Sequence, residues 1–247
     1  MNMNAITVSV EYDDLLAVTL PRMVECFDRV VVVTDLHDDA TVLVANSYVN
    51  ACTFQTDAFY RRDAAFNKGL ALEEGFDYLG RSGWIAILDA DILLPRKMES
   101  LELSPGNLYR PRRRMCRTLD TLEDVTLYDW SDYSINYEPE HAGYFQLFHA
   151  DDPVIAAIRP WYGTTWRHAG GGDSDFQAHW PKGRRKMLPF EVLHLGCECK
   201  NWHGRCTPRL DGATIAKADD RREQHARMMA ERIRQGKWGV DQEKLKR

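Results

Sequence analysis

Short apolar blocks and stretches of helical periodicity alternate along the first part of the chain. Ile6-Thr7-Val8-Ser9-Val10 and the run at 29–34, centred on Val30 to Val33, read as strands, because branched residues at this density suit a buried pleated surface. Between them, Leu15, Val18, Met23 and Phe27 are spaced for a helix packed on a sheet over Asp14 to Phe27; Pro21 either bends that helix or marks its start. A further strand is expected at 41–45. Phe66, Leu70 and Leu72 give near-helical spacing over Arg61 to Phe76, with Gly75 placed to close the helix. Trp84 to Leu88 is again strand-like and too short for a typical helix. This alternation predicts a parallel, layered α/β half over residues 1–95.

Residues 106–150 carry turn residues, arginines and the alternating strand Tyr144-Phe145-Gln146-Leu147-Phe148, which predicts a mixed second half. We therefore expect one domain over 1–213, divided near residue 95, and a helical extension over 214–247. In that extension Ile215, Ala218, Ala226, Met229 and Ile233 share one face between Thr214 and Gln235, the pattern of an amphipathic helix.

Candidate chemistry starts at Leu88-Asp89-Ala90-Asp91-Ile92, where two carboxylates interrupt an apolar run. Burying an ionised carboxylate without a partner costs several kcal/mol, so the pair calls for a cation, hydrogen bonds or water. Asp89 and Asp91 fall at or just past a strand's C-terminal end, the edge where open α/β sheets place ligands. Two oxygen ligands with one small spacer can share a hard divalent ion and the diphosphate it neutralises.

Gly170-Gly171-Gly172-Asp173-Ser174-Asp175 precedes a short helix ended by Pro181. The glycines permit conformations and close ligand approach that side chains block. Asp173 suits an N-cap and Asp175 a helix first turn, roles compatible with either acid being a general base. Val192-Leu193-His194-Leu195-Gly196 is a short apolar strand with one histidine inside it, most simply a structural residue.

Composition changes this picture little. The 247 residues are 44% hydrophobic and 28% charged, which describes an ordinary globular protein rather than a disordered one. The N-terminus shows neither a signal peptide nor a membrane anchor, and we expect a cytoplasmic protein. The formal net charge of −5 conceals two basic segments, 110–117 and 182–186, which suggest a local anionic partner. Cys197, Cys199, His203 and Cys206 could hold a structural Zn²⁺, although the C-x-C start departs from finger spacing and reduced thiols are the default.

Taken in order, Phe66-Asn67-Lys68-Gly69, Leu88-Asp89-Ala90-Asp91, Gly171-Gly172-Asp173-Ser174-Asp175, His194-Leu195-Gly196 and Asn201-Trp202-His203-Gly204-Arg205 form an ordered set over residues 6–206. The set resembles nucleotide-sugar glycosyltransferases of the A-type fold, especially small family-2-like enzymes of phages and bacteria. That resemblance implies an α/β fold with a Rossmann-like nucleotide-binding half, a mixed-sheet acceptor half and a C-terminal helix. It implies Asp91 and His194 as ligands of Mn²⁺ or Mg²⁺, with Asp89 at the donor ribose or at the metal through water. Asp35 would read the donor base, Asn67 and Lys68 would lie near the nucleotide, and Arg205 would hold the diphosphate. Related chains often carry Gly-Gly-Glu-Asp at the base motif, which leaves Asp173 and Asp175 as alternatives. They also often have arginine where Phe66 stands, a loss for which Arg61 and Arg62 could compensate.

The expected reaction is metal-dependent transfer from a nucleoside-diphosphate sugar, with a UDP-sugar favoured and inversion at the anomeric carbon. The acceptor is a glycan or, given the basic segments and the aromatics Trp161, Tyr162, Trp166 and Trp180 between them, a hydroxymethylated pyrimidine in DNA. The competing expectations are a nucleotidyltransferase, for which no glycine-rich phosphate loop is evident, and a zinc-stabilised nucleic-acid-binding protein.

Overall fold

Branched residues at the predicted positions form the centre of the sheet in a computed structural model of the chain, which describes residues 2–96, 98, 101–117, 130–135, 143–196, 201–213, 215, 223 and 227. Four parallel strands, β1 (Met3–Val8), β2 (Arg29–Thr34), β3 (Ala51–Gln55) and β4 (Trp84–Asp89), lie in the order β3-β2-β1-β4. Val8 is in register with both Val33 and Asp89, so three C-terminal strand ends are flush at one edge. The sheet continues through β8 (Phe145–His149), β6 (Leu108–Cys116), β9 (Arg185–Leu195) and β5 (Ile92–Leu93), while β7 (Ser134–Ile135) pairs with β6. β8 is antiparallel to β4 and β6, whereas β6 and β9 run parallel and β5 runs against β9. The two halves expected on either side of residue 95 are thus one continuous mixed sheet.

Alternation along the strands serves two cores. Ile6, Val31, Val33, Ile85 and Ile87 face an aromatic layer that includes Phe76, Phe148, Trp161, Phe176 and Trp180. Ala5, Val30, Val32, Ala86 and Leu88 face Leu16, Leu20 and Met23 of α1 (Asp13–Cys26). Such two-sided burial is what near-continuous valine and isoleucine runs require. Asp13 and Asp14 in the first turn of α1 complement the helix dipole, and the helix passes through Pro21 instead of starting there.

Two local expectations are corrected. Residues 41–45 are not a strand, because the Asp38 side chain accepts from the Thr41 N–H at 3.1 Å and caps α2 (Asp39–Ala45). The strand comes later, as the less apolar β3. Gly75 does not end the helix predicted from Arg61; it lies inside α3 (Lys68–Leu79), where a Cβ would stand 2.6 Å from Val33 and 2.7 Å from Ile6, so glycine lets the helix lie close on the sheet. Residues 58–63 form a separate 3-10 segment.

The basic segment 110–117 is largely β6, and the segment 182–186 is a 3-10 turn leading into β9. Lys186 is paired with Tyr109 and Tyr109 with Leu147, which places the second cluster toward the sheet end where β4 begins, away from Asp89. Trp161, Tyr162 and Trp180 are buried to 1% exposure or less, so they build the core and offer no stacking surface.

The chain separates into two units, Met1–Ile215 and Ala216–Arg247. In the second, Glu223 and Arg227 are helical and form an ion pair at 3.2 Å; Ala218, Ala226, Met229 and Ile233 lie outside the described residues. No helix among the described residues is long and apolar enough to cross a membrane.

Candidate active site

The Asp89-Ala90-Asp91 turn is fixed through its backbone from three directions. The Asp89 N–H donates to Tyr144 O at 3.0 Å, Thr19 Oγ1 of α1 donates to Ala90 O at 2.6 Å, and the Leu195 N–H donates to Asp91 O at 2.9 Å. The β5–β9 pairing sets Ile92 opposite His194 and thereby brings His194 Nε2 to 3.2 Å from Asp91 Oδ2. Asp91 is 4% exposed, yet its Oδ1 has no hydrogen-bond partner, and neither has the buried Nδ1 of His194. Burial pushes the Asp91 carboxyl up, but His194 and then Lys68 outweigh it and hold the group below the usual carboxylate range.

Lys68 opens α3 behind the N-cap Asn67, and its ammonium is ion-paired with Asp89. Burial opposes the Lys68 charge, while Asp89, Asp173 and Asp91 overcome that and hold it above its ordinary range. Asn67 is occupied: Oδ1 accepts from the Leu70 N–H at 2.9 Å and Nδ2 donates to Thr164 O at 2.9 Å. It therefore positions Lys68 and ties α3 to the 162–167 segment. Asp35 follows β2 on the same sheet edge, two strands from β4, with Oδ1 accepting from the His37 N–H at 3.0 Å.

Gly171 is the N-cap of α4 (Gly172–Ala178), which places Asp173 and Asp175 in its first turn and leaves neither as the cap. The two acids diverge. Asp173 is half-buried, and its charge acts on Lys68 and Tyr162; Asp175 is exposed and accepts from the Trp166 indole N–H at 2.6 Å. The triple glycine accommodates rings: a Cβ would stand 2.8 Å from Trp202 at Gly170 and 2.7 Å from Trp166 at Gly171, and Gly171 has φ +101°.

Arg205, expected at the diphosphate, directs its donors to partners within the protein. Its Nε donates to Thr207 O at 2.8 Å, one terminal nitrogen to Glu11 O at 2.6 Å and to Asp14 Oδ1, and the other to Asp14 Oδ2 and Pro208 O at 2.8 and 2.7 Å. All five donors are used. Arg209 grips Asp13 in the same bidentate way, at 2.6 and 2.8 Å, so the 201–211 segment is strapped over the start of α1. Arg61 is likewise committed, to Asp57 and Glu74, and Arg62 is exposed with φ +60°.

Three residues join the site that sequence reasoning did not place there. Arg113 of β6 lies over the Tyr144 ring at 4.6 Å; burial lowers its pKa, with Tyr144, Asp89 and Asp91 acting against that shift. Tyr162 holds a buried hydroxyl without a hydrogen-bond partner, pushed far up by burial and then by Asp173, Asp89 and Asp175. Tyr12, beneath Arg205 at 4.8 Å, is raised by burial and by Asp91. Arg113 stands in an arginine run whose other members obscure it, and Tyr162 stands among the aromatics between the two basic segments; Tyr12 carries no mark in the sequence.

Among the described residues no group of three or more His, Cys, Asp and Glu side chains is arranged around an ion. Asp91 and His194 nonetheless fit a divalent cation: one buried carboxylate oxygen is orphaned, and an ion of the Mg²⁺ or Mn²⁺ type is commonly held by one or two protein ligands with substrate phosphates completing the shell. Asp89 is taken by Lys68. Of the zinc candidates, Cys197 and Cys199 lie outside the described residues, and His203 and Cys206 are exposed.

No protein-family model matches the sequence, and no curated protein matches it. Solved structures do. S. aureus TarS superposes with a TM-score of 0.55 at 10% identity, covering 79% of this chain and 37% of that one, so the chain spans little more than a third of TarS. Mannosyl-3-phosphoglycerate synthase from Rubrobacter xylanophilus gives 0.48 at 17% identity, with 96% and 75% covered. The inositol-1-phosphate CTP transferase from T. maritima gives 0.46 at 11%, with 78% and 89% covered. The fold is that of the A-type glycosyltransferases.

Proposed function

We propose that the protein transfers a sugar from a nucleoside-diphosphate sugar, a UDP-sugar by preference, to an acceptor hydroxyl with inversion. The observation that carries this reading is the orphaned, buried Asp91 Oδ1 beside His194 at the C-terminal edge of the parallel strands. Asp91 and His194 would hold Mn²⁺ or Mg²⁺, which when bound neutralises charge on the departing diphosphate. Lys68 and Arg113 add fixed positive charge on the same side, and Asp89 orients the Lys68 ammonium.

Asp173 is the base in this reading, because it is half-buried and acts electrostatically on Lys68, while Asp175 points to solvent and is engaged by Trp166. The acceptor oxygen loses its proton to the Asp173 carboxylate and bonds to the anomeric carbon as the carbon–oxygen bond to the diphosphate breaks. Asp35 is the donor-base contact in this reading, supported by its position just after β2 at the same sheet edge, two strands from β4.

A nucleotidyltransferase would use the same paired acids, and Lys68 would serve a triphosphate as readily. The products separate the two: nucleoside diphosphate for glycosyl transfer, pyrophosphate for nucleotidyl transfer. Calorimetric titration of UDP, GDP and CDP with and without Mn²⁺ tests the donor reading. We expect Mn²⁺-dependent UDP binding that Asp91→Ala removes; binding unaffected by metal and by that substitution would overturn it.

A further inference from the structure

Four rings meet beside the glycine-rich turn. His168 stacks on Trp202 with centroids 5.7 Å apart and planes 18° from parallel, and Trp166 and His203 approach the same imidazole at 5.6 and 5.8 Å. Trp202 is 47% exposed and Trp166 half-buried, whereas Trp161 and Trp180 are buried. The cluster is built rather than incidental. The Ala169 N–H donates to Trp202 O at 2.8 Å, the Gly170 N–H donates to His168 Nδ1 at 3.1 Å, and glycine at 170 and 171 is needed for the indoles of Trp202 and Trp166 to lie against the backbone. Asp173 follows Gly170 by three residues, so the backbone against which the Trp202 indole lies is at most about 10 Å of chain from the acid read above as the base.

We infer that the Trp166, His168, Trp202 and His203 cluster is the acceptor platform and that it receives a neutral glycan; the inference rests on the transferase reading of the adjacent site. The exposed rings of Trp202 and His203, backed by the half-buried Trp166 and His168, match the apolar C–H face of a pyranose, and the polar groups at the rim match its hydroxyls. The rim supplies acceptors: Asp175, already bonded to the Trp166 indole, and Asp173 beyond it. Carboxylates beside a stacking surface favour hydroxyl donors and repel phosphodiesters. A nucleic acid needs a row of cations along its backbone; the 182–186 cluster lies toward the other end of the sheet, and in the 110–117 segment Arg113 is half-buried against Tyr144 and Arg114 is paired with Glu191.

The test is a glycan array of neutral oligosaccharides probed with the full-length protein, followed by titration of the best ligand into wild type, Trp202→Ala and Trp202→Phe, with UDP and Mn²⁺ binding measured on each. The same proteins are titrated with a dT₁₀ oligonucleotide. We expect at least one oligosaccharide to bind, its affinity to fall tenfold or more in Trp202→Ala and to be largely restored in Trp202→Phe, and UDP binding to stay unchanged in both. No glycan bound, glycan binding indifferent to Trp202→Ala, or dT₁₀ bound through Trp202 in place of glycans would overturn the platform. Glycans bound through Trp202 by a protein that ignores every nucleotide would instead defeat the transferase reading and leave the platform standing as a glycan-binding site.

Discussion

Two polar clusters hold buried carboxylates within one chain, and they are finished to different degrees. Around Arg205, every guanidinium N–H has an acceptor and both Asp14 oxygens have donors, the second also taking the Leu210 N–H at 2.8 Å. Around Asp91, one carboxylate oxygen and one histidine nitrogen are buried without hydrogen-bond partners, as is the Tyr162 hydroxyl near Asp173 and Asp89. A saturated cluster contributes to stability and has nothing left to offer a ligand. An unsaturated one costs stability, and that cost is recovered when something binds. The state of the hydrogen bonds, more than residue type, separates the strap from the site.

The sharpest way to break the comparison is at Asp173. Asp173→Asn should lower kcat by about 10²- to 10⁴-fold with donor KM nearly unchanged. Asp175→Asn should alter kcat less than about threefold, because that carboxylate serves Trp166. Steady-state kinetics on both variants decides the assignment, and equal losses would dissolve the distinction drawn between the two acids. The saturated cluster should fail differently. Arg205→Met leaves Asp14 buried and unpaired and should cost about 3–5 kcal/mol in urea unfolding, with much of the loss recovered in the Arg205→Met, Asp14→Leu double variant. Arg113→Gln should weaken UDP binding about 10- to 100-fold while leaving the urea midpoint nearly unchanged, the inverse of the Arg205 result.

The smallest effect concerns acid. Burial alone would raise the Asp14 carboxyl, but Arg205 and the Leu210 N–H hold it below its ordinary 3.8. A depressed carboxylate contributes stability that is fully present above the unfolded value and is lost as pH falls through the folded one. Proteolysis within 201–211 should therefore accelerate only below about pH 4, and acceleration already at pH 6 would assign the strap to other groups.

Much of the parallel half of the sheet was legible because its signals are local. Val30 to Val33 and Trp84 to Leu88 are buried on both faces, so the runs are continuous and their ends are sharp. At 41–45 the β-branched Thr41, Val42 and Val44 pointed to a strand, and a cap three residues upstream overrode them, since Asp38 serves Thr41 and also Thr34 and the Glu11 N–H. β3 escaped notice because an edge strand needs little apolar character: Cys52, Thr53 and Phe54 are only half-buried. The site was legible as residue types and not as an arrangement. Asp89, Asp91 and His194 stood out against apolar flanks, whereas Arg113 and Tyr144 come together only through the order in which β8, β6 and β9 join the sheet. The internal partners of Arg205 were not legible, because three of its four, Thr207, Glu11 and Pro208, accept through backbone carbonyls that carry no mark in the sequence.

The pairing of β5 with β9 has a consequence for how the protein comes into being. Ile92 and Leu93 emerge from the ribosome well before His194 and Leu193, and until those later residues arrive the short strand has no partner and Asp91 has no imidazole beside it. A contact of such long sequence separation is slow to close and comes late in folding. The Asp91–His194 pair is therefore completed by the last of the described strands: it forms with the docking of β9 and not as the four parallel strands assemble.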